Sequence, residues 1–179
     1  MEIEEKSAYS ISAEMKELAG YLVGALGLEI PADVIEKGKH HLLDTLAAII
    51  SGSRLPPGQL AIRHAKTMGG AASCTVAGTT LLTNPVNAAL ANGIAAHADE
   101  TDDSHLGGRF HPGCGIVPAA LAAAEANGRS GIELLKAVIL GYDIGVRFNM
   151  SLGPRKLYQG GHSTHSLGPL FGAAAAAGA

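Results

Sequence analysis

Two segments without a charged side chain, residues 86–96 and 113–124, set what this chain can fold into. Both are rich in Ala, and between them lies a stretch of sixteen residues, His97 to Pro112, holding four acids and three histidines. The chain of 179 residues is only 16% charged and 47% hydrophobic, so this is a steep local concentration. Ionisable side chains packed into one joint between two apolar elements must sit beside a core. With three Phe, four Tyr and no Trp, that core is built from Ala, Leu, Ile and Val. Ala lets helices approach closely and has the highest helix propensity, which favours an all-α architecture.

Apolar spacing places the elements. Ser12 precedes a helical pattern through Met15, Leu18, Leu22 and Leu26 that Gly27 ends. Pro31 opens a second helix, closed by Ser51-Gly52-Ser53. A shorter helix runs from Leu60 to Met68, and residues 73–78 read as one extended segment. Asn84-Pro85 is an N-cap followed by a first-turn proline, starting a helix that the pattern extends to Ala98 and buries on all sides. Pro112 or Gly113 starts the next, and Ser130 with Glu133 forms a capping box for another that runs to about Phe148. Lys156 to Ser166 reads as a polar loop, and Gly168-Pro169 begins a last Ala-rich helix. The expectation is one all-α domain over residues 1–179, with about seven helices. Residues 1–7 are expected to be a frayed, charged start.

Composition excludes several functions. The net charge is −3 and no Lys/Arg cluster appears, which argues against a nucleic-acid partner. No apolar run reaches the ~20 residues that a membrane span needs. Met1 to Lys6 has no apolar signal core, and Cys74 and Cys114 make no disulfide framework, so a cytoplasmic protein is expected. His40 and His41 point about 100° apart on their helix and read as helix surface or a subunit contact. The acidic stretch has neither a His-Glu-x-x-His nor a Cys-x-x-Cys pattern, so no metal site is expected from it. No Gly-x-Ser-x-Gly elbow is present either.

Acid–base chemistry fits better. An imidazole exchanges protons near neutral pH, and a neighbouring carboxylate fixes its tautomer. His111 leads into a helix start, where backbone N–H groups favour an anion. Gly161-His162-Ser163-Thr164-His165 repeats the arrangement ahead of Pro169. Brought together, the two loops would make a pocket for a small polycarboxylate, with Arg109 and hydroxyls on the carboxylates and His111 or His162 moving a proton.

Several stretches in this order resemble the N-terminal part of the MmgE/PrpD family, which includes 2-methylcitrate dehydratase, cis-aconitate decarboxylase and iminodisuccinate epimerase. They are His40 to Ala47, Asn84 to Gly93, His97 to Ser104, His111-Pro112 with the helix carrying Pro118 to Leu121, Gly141 to Ile144, and Gly161 to Thr164 with Gly168 to Leu170. The resemblance implies a helical domain, a second lid domain, homodimers, no required cofactor, and elimination, decarboxylation or epimerisation beside carboxylates. It places the family's site acid on Glu100, where Asp is usual, and its hydroxyl on Ser104, where Thr is usual. Its two histidines fall on His111 and His162, with His165 as a rival for the second. Glu100 and Asp103 are then expected to orient the histidines, with Asp99 able to replace Glu100. Ser104 and Arg109 are expected to hold the substrate. The family's chains are more than twice as long, and their site lysines, tyrosine and lid lie in the part beyond this one. The leading expectation is 2-methylcitrate dehydration. The competing one is a non-catalytic helical dimer, or a partner subunit whose pocket a second polypeptide carrying the lid completes.

Overall fold

The computed structural model describes residues 10–179, so the expected frayed start at residues 1–7 lies outside the described residues. Among those described, eight α-helices account for nearly all regular structure, and the all-α expectation holds. They are α1 (Ala13–Ala25), α2 (Ala32–Gly52), α3 (Pro56–Met68), α4 (Pro85–Ala96), α5 (Gly113–Ala126), α6 (Gly131–Ser151), α7 (Pro154–Gln159) and α8 (Gly168–Gly178). The expected seven become eight because α7 forms across the start of the stretch read as a polar loop. Gly153 takes a left-handed conformation at its N-cap and Pro154 presets the first turn. A short 3-10 helix, Thr164–Ser166, lies in the same stretch. The single extended segment is one arm of a hairpin. β1 (Cys74–Thr75) pairs antiparallel with β2 (Leu82–Thr83), a pairing too short to leave an alternating pattern.

Capping residues set the helix starts as their chemistry requires. Ser12 Oγ accepts from the Met15 amide, Asn84 Oδ1 from the Asn87 amide, and Ser130 and Glu133 close a full capping box. Helices α4 and α5 form the centre. Ala61, Ala65, Cys74, Val76, Ala88, Ala91 and Ala122 bury one cluster between α3, α4, α5 and the hairpin. Ile116, Val117, Ala120, Ala137, Val138 and Ala176 bury a second between α5, α6 and α8. Small residues bring the backbones close. A Cβ at Gly172 of α8 would lie 2.6 Å from the Gly141 carbonyl oxygen of α6.

The expectation that α4 is buried all round is corrected. Ala88, Ala91, Asn92, Ala95 and Ala96 face the core, while Val86, Leu90 and Ile94 are exposed along the opposite face. Those three recur at i, i+4 and i+8, so an apolar composition here hides two faces of different fate. No helix among the described residues is long and apolar enough to cross a membrane.

The hairpin is anchored by one side chain of α4. Asn92 is buried, its Oδ1 accepts from the Ala77 amide at 2.9 Å, and its Nδ2 donates to the Thr75 carbonyl at 2.9 Å. Asn92→Leu removes both partners and leaves two backbone groups unpaired, a cost of about 2–4 kcal/mol. Urea unfolding checks this: the midpoint should fall while the m value stays the same. Glu125 of α5 holds the other side, accepting from the Thr75 amide at 2.7 Å and its hydroxyl at 2.6 Å.

Candidate active site

The loop from His97 to Pro112 connects the two central helices and carries two separate carboxylate centres. The first is Asp102, whose side chain has no exposed surface. Its Oδ1 lies 3.0 Å from His97 Nδ1 and 3.2 Å from His111 Nδ1. His111 Nδ1 also faces the Asp102 carbonyl oxygen at 3.2 Å. Both neighbours of that nitrogen are acceptors, so Nδ1 carries the proton and Nε2 is left as the free nitrogen. His97 is held in the same tautomer by the same oxygen. The His97 and His111 rings meet edge to face, with centroids 4.9 Å apart.

The second centre is Asp103. Its Oδ2 accepts from the Tyr142 hydroxyl at 2.8 Å and faces His41 Nδ1 at 3.0 Å, while Oδ1 accepts from the Gly113 amide at 2.9 Å. Burial pushes this carboxyl upward, but the His41, Tyr142 and Gly113 hydrogen bonds outweigh it and hold Asp103 below the usual carboxylate range. The His41 and Tyr142 rings stack with centroids 4.7 Å apart. Burial, followed by the Asp103 charge, pushes the Tyr142 phenol well above its ordinary value. This centre pins α2, α5 and α6 around the loop.

The second His-bearing loop is brought to the first by a buried hydroxyl. Thr164 Oγ1 donates to the Arg109 carbonyl, and the next residue, His165, packs its ring on His111 with centroids 5.2 Å apart. His165 also lies 6.0 Å from the His97 ring. Loss of solvent, then the nearby His111 and His97, lowers the His165 pKa from its ordinary value near 6.5. Its proton therefore binds less tightly in the folded state than in the unfolded chain. The resulting penalty is absent above the unfolded value and grows as pH falls through about 6.5. In proton NMR, the His165 Hε1 signal should titrate below that value, and His165→Gln should lose less thermal stability than the parent between about pH 7.5 and 5.5.

The residues expected from sequence fall as follows. His111 sits at the centre of the cluster, and His165 is the imidazole packed on it. His162 is exposed, and its amide donates to the Leu157 carbonyl at 3.1 Å. Asp103 bonds to His41 rather than to His111, and Glu100 is exposed. Glu100 and Arg109 are the two non-glycine residues with positive φ among the described residues, at 56° and 54°. Such backbone is costly for a residue with a Cβ and gathers at functional sites. Arg109 is exposed and places its guanidinium 5.7 Å over the Tyr158 ring. Ser104 is exposed beside Asp103.

Sequence reasoning passed over Asp102, His97, His41 and Tyr142 as site residues. The nearest signal was the Asp102-Asp103 pair itself, since adjacent loop residues point to opposite sides and can serve two centres. His41 read as surface because its partner lies 62 positions away, a pairing that helix spacing cannot reveal. Cys114 opens α5 with its Sγ donating to the His111 carbonyl at 3.2 Å. Burial, then the Asp102 charge, pushes its thiol up to about 12, so it is no free nucleophile. His97, Asp102 and Cys114 each offer one donor atom within 4.8 Å of the others, which makes them the group able to hold a metal among the described residues.

The profile of the MmgE/PrpD N-terminal domain matches residues 16–179. The chain belongs to the MmgE/PrpD family. A cis-aconitate decarboxylase-like protein of Aspergillus oryzae is 33% identical over 171 residues, covering 91% of this chain and 35% of that protein. The cis-aconitate decarboxylase of Aspergillus terreus is 32% identical over 155 residues, 83% of this chain and 31% of that protein. The human cis-aconitate decarboxylase is 33% identical over 116 residues, 62% of this chain and 24% of that protein. The chain thus spans about a third or less of the length of these family members.

Proposed function

We propose that this domain supplies the proton-transfer half of a lyase site for a small tricarboxylate, working with a lid domain, in a cytoplasmic homodimer. The observation that carries the reading is the buried Asp102 shared by His97 and His111, with the His165 ring packed alongside. A carboxylate that fixes two imidazoles leaves their Nε2 atoms free to exchange protons with a bound acid. Arg109, Ser104 and the N-terminus of α5 lie on the same loop and its exit, where they can meet carboxylates. His162 is exposed on the second loop, where a ligand could reach it.

Decarboxylation is the reaction favoured, because the named relatives are cis-aconitate decarboxylases or resemble them. In that step the C–CO2 bond breaks, its electron pair passes to the carbon skeleton, and an imidazolium returns a proton to carbon. 2-Methylcitrate dehydration is the second reading, favoured by the paired imidazoles, since one takes a C–H proton and the other protonates the departing hydroxide. The test uses the purified chain alone and mixed with a polypeptide carrying the lid domain. Each is incubated with cis-aconitate or 2-methylcitrate, following CO2 release and the near-ultraviolet absorbance of the unsaturated acid. CO2 from cis-aconitate supports decarboxylation, and a new unsaturated acid from 2-methylcitrate supports dehydration. No turnover of either acid by the pair overturns the lyase reading in favour of a non-catalytic helical subunit.

A further inference from the structure

A cleft of about 700 Å3 lies between α1, α2 and α6, and none of His97, Asp102, His111 and His165 lines it. Its shape follows from how the three helices meet. Helices α2 and α6 touch at Gly38, where a Cβ would lie 2.7 Å from the Ile139 side chain, and farther along both helices the His41 ring stacks on Tyr142. The contacts fall in the same order on both helices, so the two run side by side in one direction. Ala25 is the one buried residue of α1. That helix is tied to α6 by the Tyr21 hydroxyl, which donates to Asp143 at 3.0 Å, and by Lys136 Nζ, which donates to the Leu26 and Leu28 carbonyls at 2.8 and 3.2 Å. Polar ties in place of close packing leave room beneath α1.

The cleft is polarised along its length. Leu28, Ile30 and Val34 wall the end where α2 begins. Lys37 and His41 follow one turn apart on the same face of α2, and Arg147 lies beyond Tyr142 on α6. Lys37 belongs to no ion pair among the described residues. Asp103 holds His41 Nδ1, which leaves Nε2 as the open nitrogen. Arg147 spends only its Nε on Asp143, at 2.6 Å. Asp143 is the acid at this end, and its two oxygens are taken by Arg147 and Tyr21. Glu29 and Asp33 stand at the apolar end, where they repel an anion.

We propose that this cleft binds a small amphiphile with one carboxylate and an unbranched acyl tail. The head lies between Lys37, His41 and Arg147, and the tail runs along Leu28, Ile30 and Val34. A guanidinium, an ammonium and a protonated imidazole give a carboxylate charge-assisted hydrogen bonds, and the apolar walls gain from covering the tail. The volume falls in the range of small-molecule sites. A polycarboxylate is disfavoured, because its further charges would lie among apolar side chains and beside Glu29 and Asp33. The site stands independently of the lyase reading, because binding is measured without turnover.

The test titrates octanoate, octanamide and acetate into the whole chain by calorimetry. One octanoate should bind per chain with a Kd below about 1 mM. Octanamide, which keeps the tail without the charge, should bind about tenfold more weakly, and acetate, which lacks the tail, should give no measurable heat. Lys37→Gln should weaken octanoate about tenfold and leave octanamide unchanged. Val34→Asp should weaken both, since it sets a charge against the tail. Both positions are exposed, so both variants should fold. Excess cis-aconitate should not displace octanoate. The proposal is overturned by the lack of saturable octanoate binding, or by octanamide that binds as well as octanoate. It is equally overturned by octanoate binding that Lys37→Gln or Val34→Asp leaves unchanged, which would mean adventitious uptake elsewhere. Displacement by cis-aconitate overturns it too, because the octanoate would then sit in the proposed lyase site.

Discussion

Under the lyase reading proposed above, Asp102→Asn is expected to lower turnover by about 10²–10³-fold while leaving the fold intact. The carboxylate is fully buried and its Oδ1 faces the Nδ1 atoms of both His97 and His111. When His111 takes a proton on Nε2, a positive imidazolium forms beside that fixed negative charge. At about 4 Å and an effective dielectric near 20, the attraction is of order 4 kcal/mol, and each 1.36 kcal/mol is tenfold in rate. The amide keeps the shape and one acceptor but loses the charge, so the effect falls on kcat rather than on KM. His111→Gln should cost at least as much, since general acid–base groups contribute roughly 10²–10⁴-fold. Asp103→Asn separates the two carboxylates. Asp103 bonds to His41, Tyr142 and the Gly113 amide, so its loss should be read mainly as a lower melting temperature. Equal kinetic losses from Asp102→Asn and Asp103→Asn would remove the distinction drawn here. Steady-state kinetics of the three variants, each paired with a lid polypeptide and given the acid that the proposed lyase site turns over, with melting curves alongside, makes the comparison.

That distinction marks where the sequence could be read and where it could not. Helix starts were legible because caps are local: Ser12, Asn84 and Ser130 each bond a backbone amide three residues on. The two His-bearing loops stood out because both combine histidine with a helix start. Which atoms meet was not legible. Adjacent Asp102 and Asp103 serve different centres, and nothing in an Asp-Asp dipeptide says which turns inward. His165 rather than His162 lies on His111 because Thr164 is fastened to the Arg109 carbonyl, a bond spanning 55 residues. Helix α7 escaped notice because six residues cannot display a 3.6-residue period twice. The exposed stripe of Val86, Leu90 and Ile94 was hidden because Ala gives no hydropathy contrast between the two faces of α4.

A large effect on stability is expected from Gly52→Ala. Three backbones meet at this glycine. A Cβ there would lie 1.9 Å from the Ala95 carbonyl oxygen of α4, and a Cβ on Gly58 of α3 would lie 2.1 Å from the Gly52 carbonyl oxygen. Neither obstacle is a side-chain end that can rotate away, so the helices themselves must separate. Overpacking a well-filled site costs about 1–3 kcal/mol, and more where only backbone can yield. Taking ~3 kcal/mol, a domain of this size should melt roughly 6–12 °C lower. Gly20→Ala in α1 is the contrasting case: nothing lies within 4 Å of its added methyl, and Ala in place of a helix-interior glycine stabilises by about 0.5–1 kcal/mol. The two substitutions add the same single methyl and should shift the melting temperature in opposite directions. Under the lyase reading, Gly52→Ala should also lower turnover beyond what unfolding explains, because Ala95 stands two residues before His97 and any shift of α4 moves that ring off Asp102. A Gly52→Ala protein that melts with the parent would mean that α2 and α4 do not cross where Gly52 and Ala95 touch, and the placement of His97 against Asp102 would fall with that crossing.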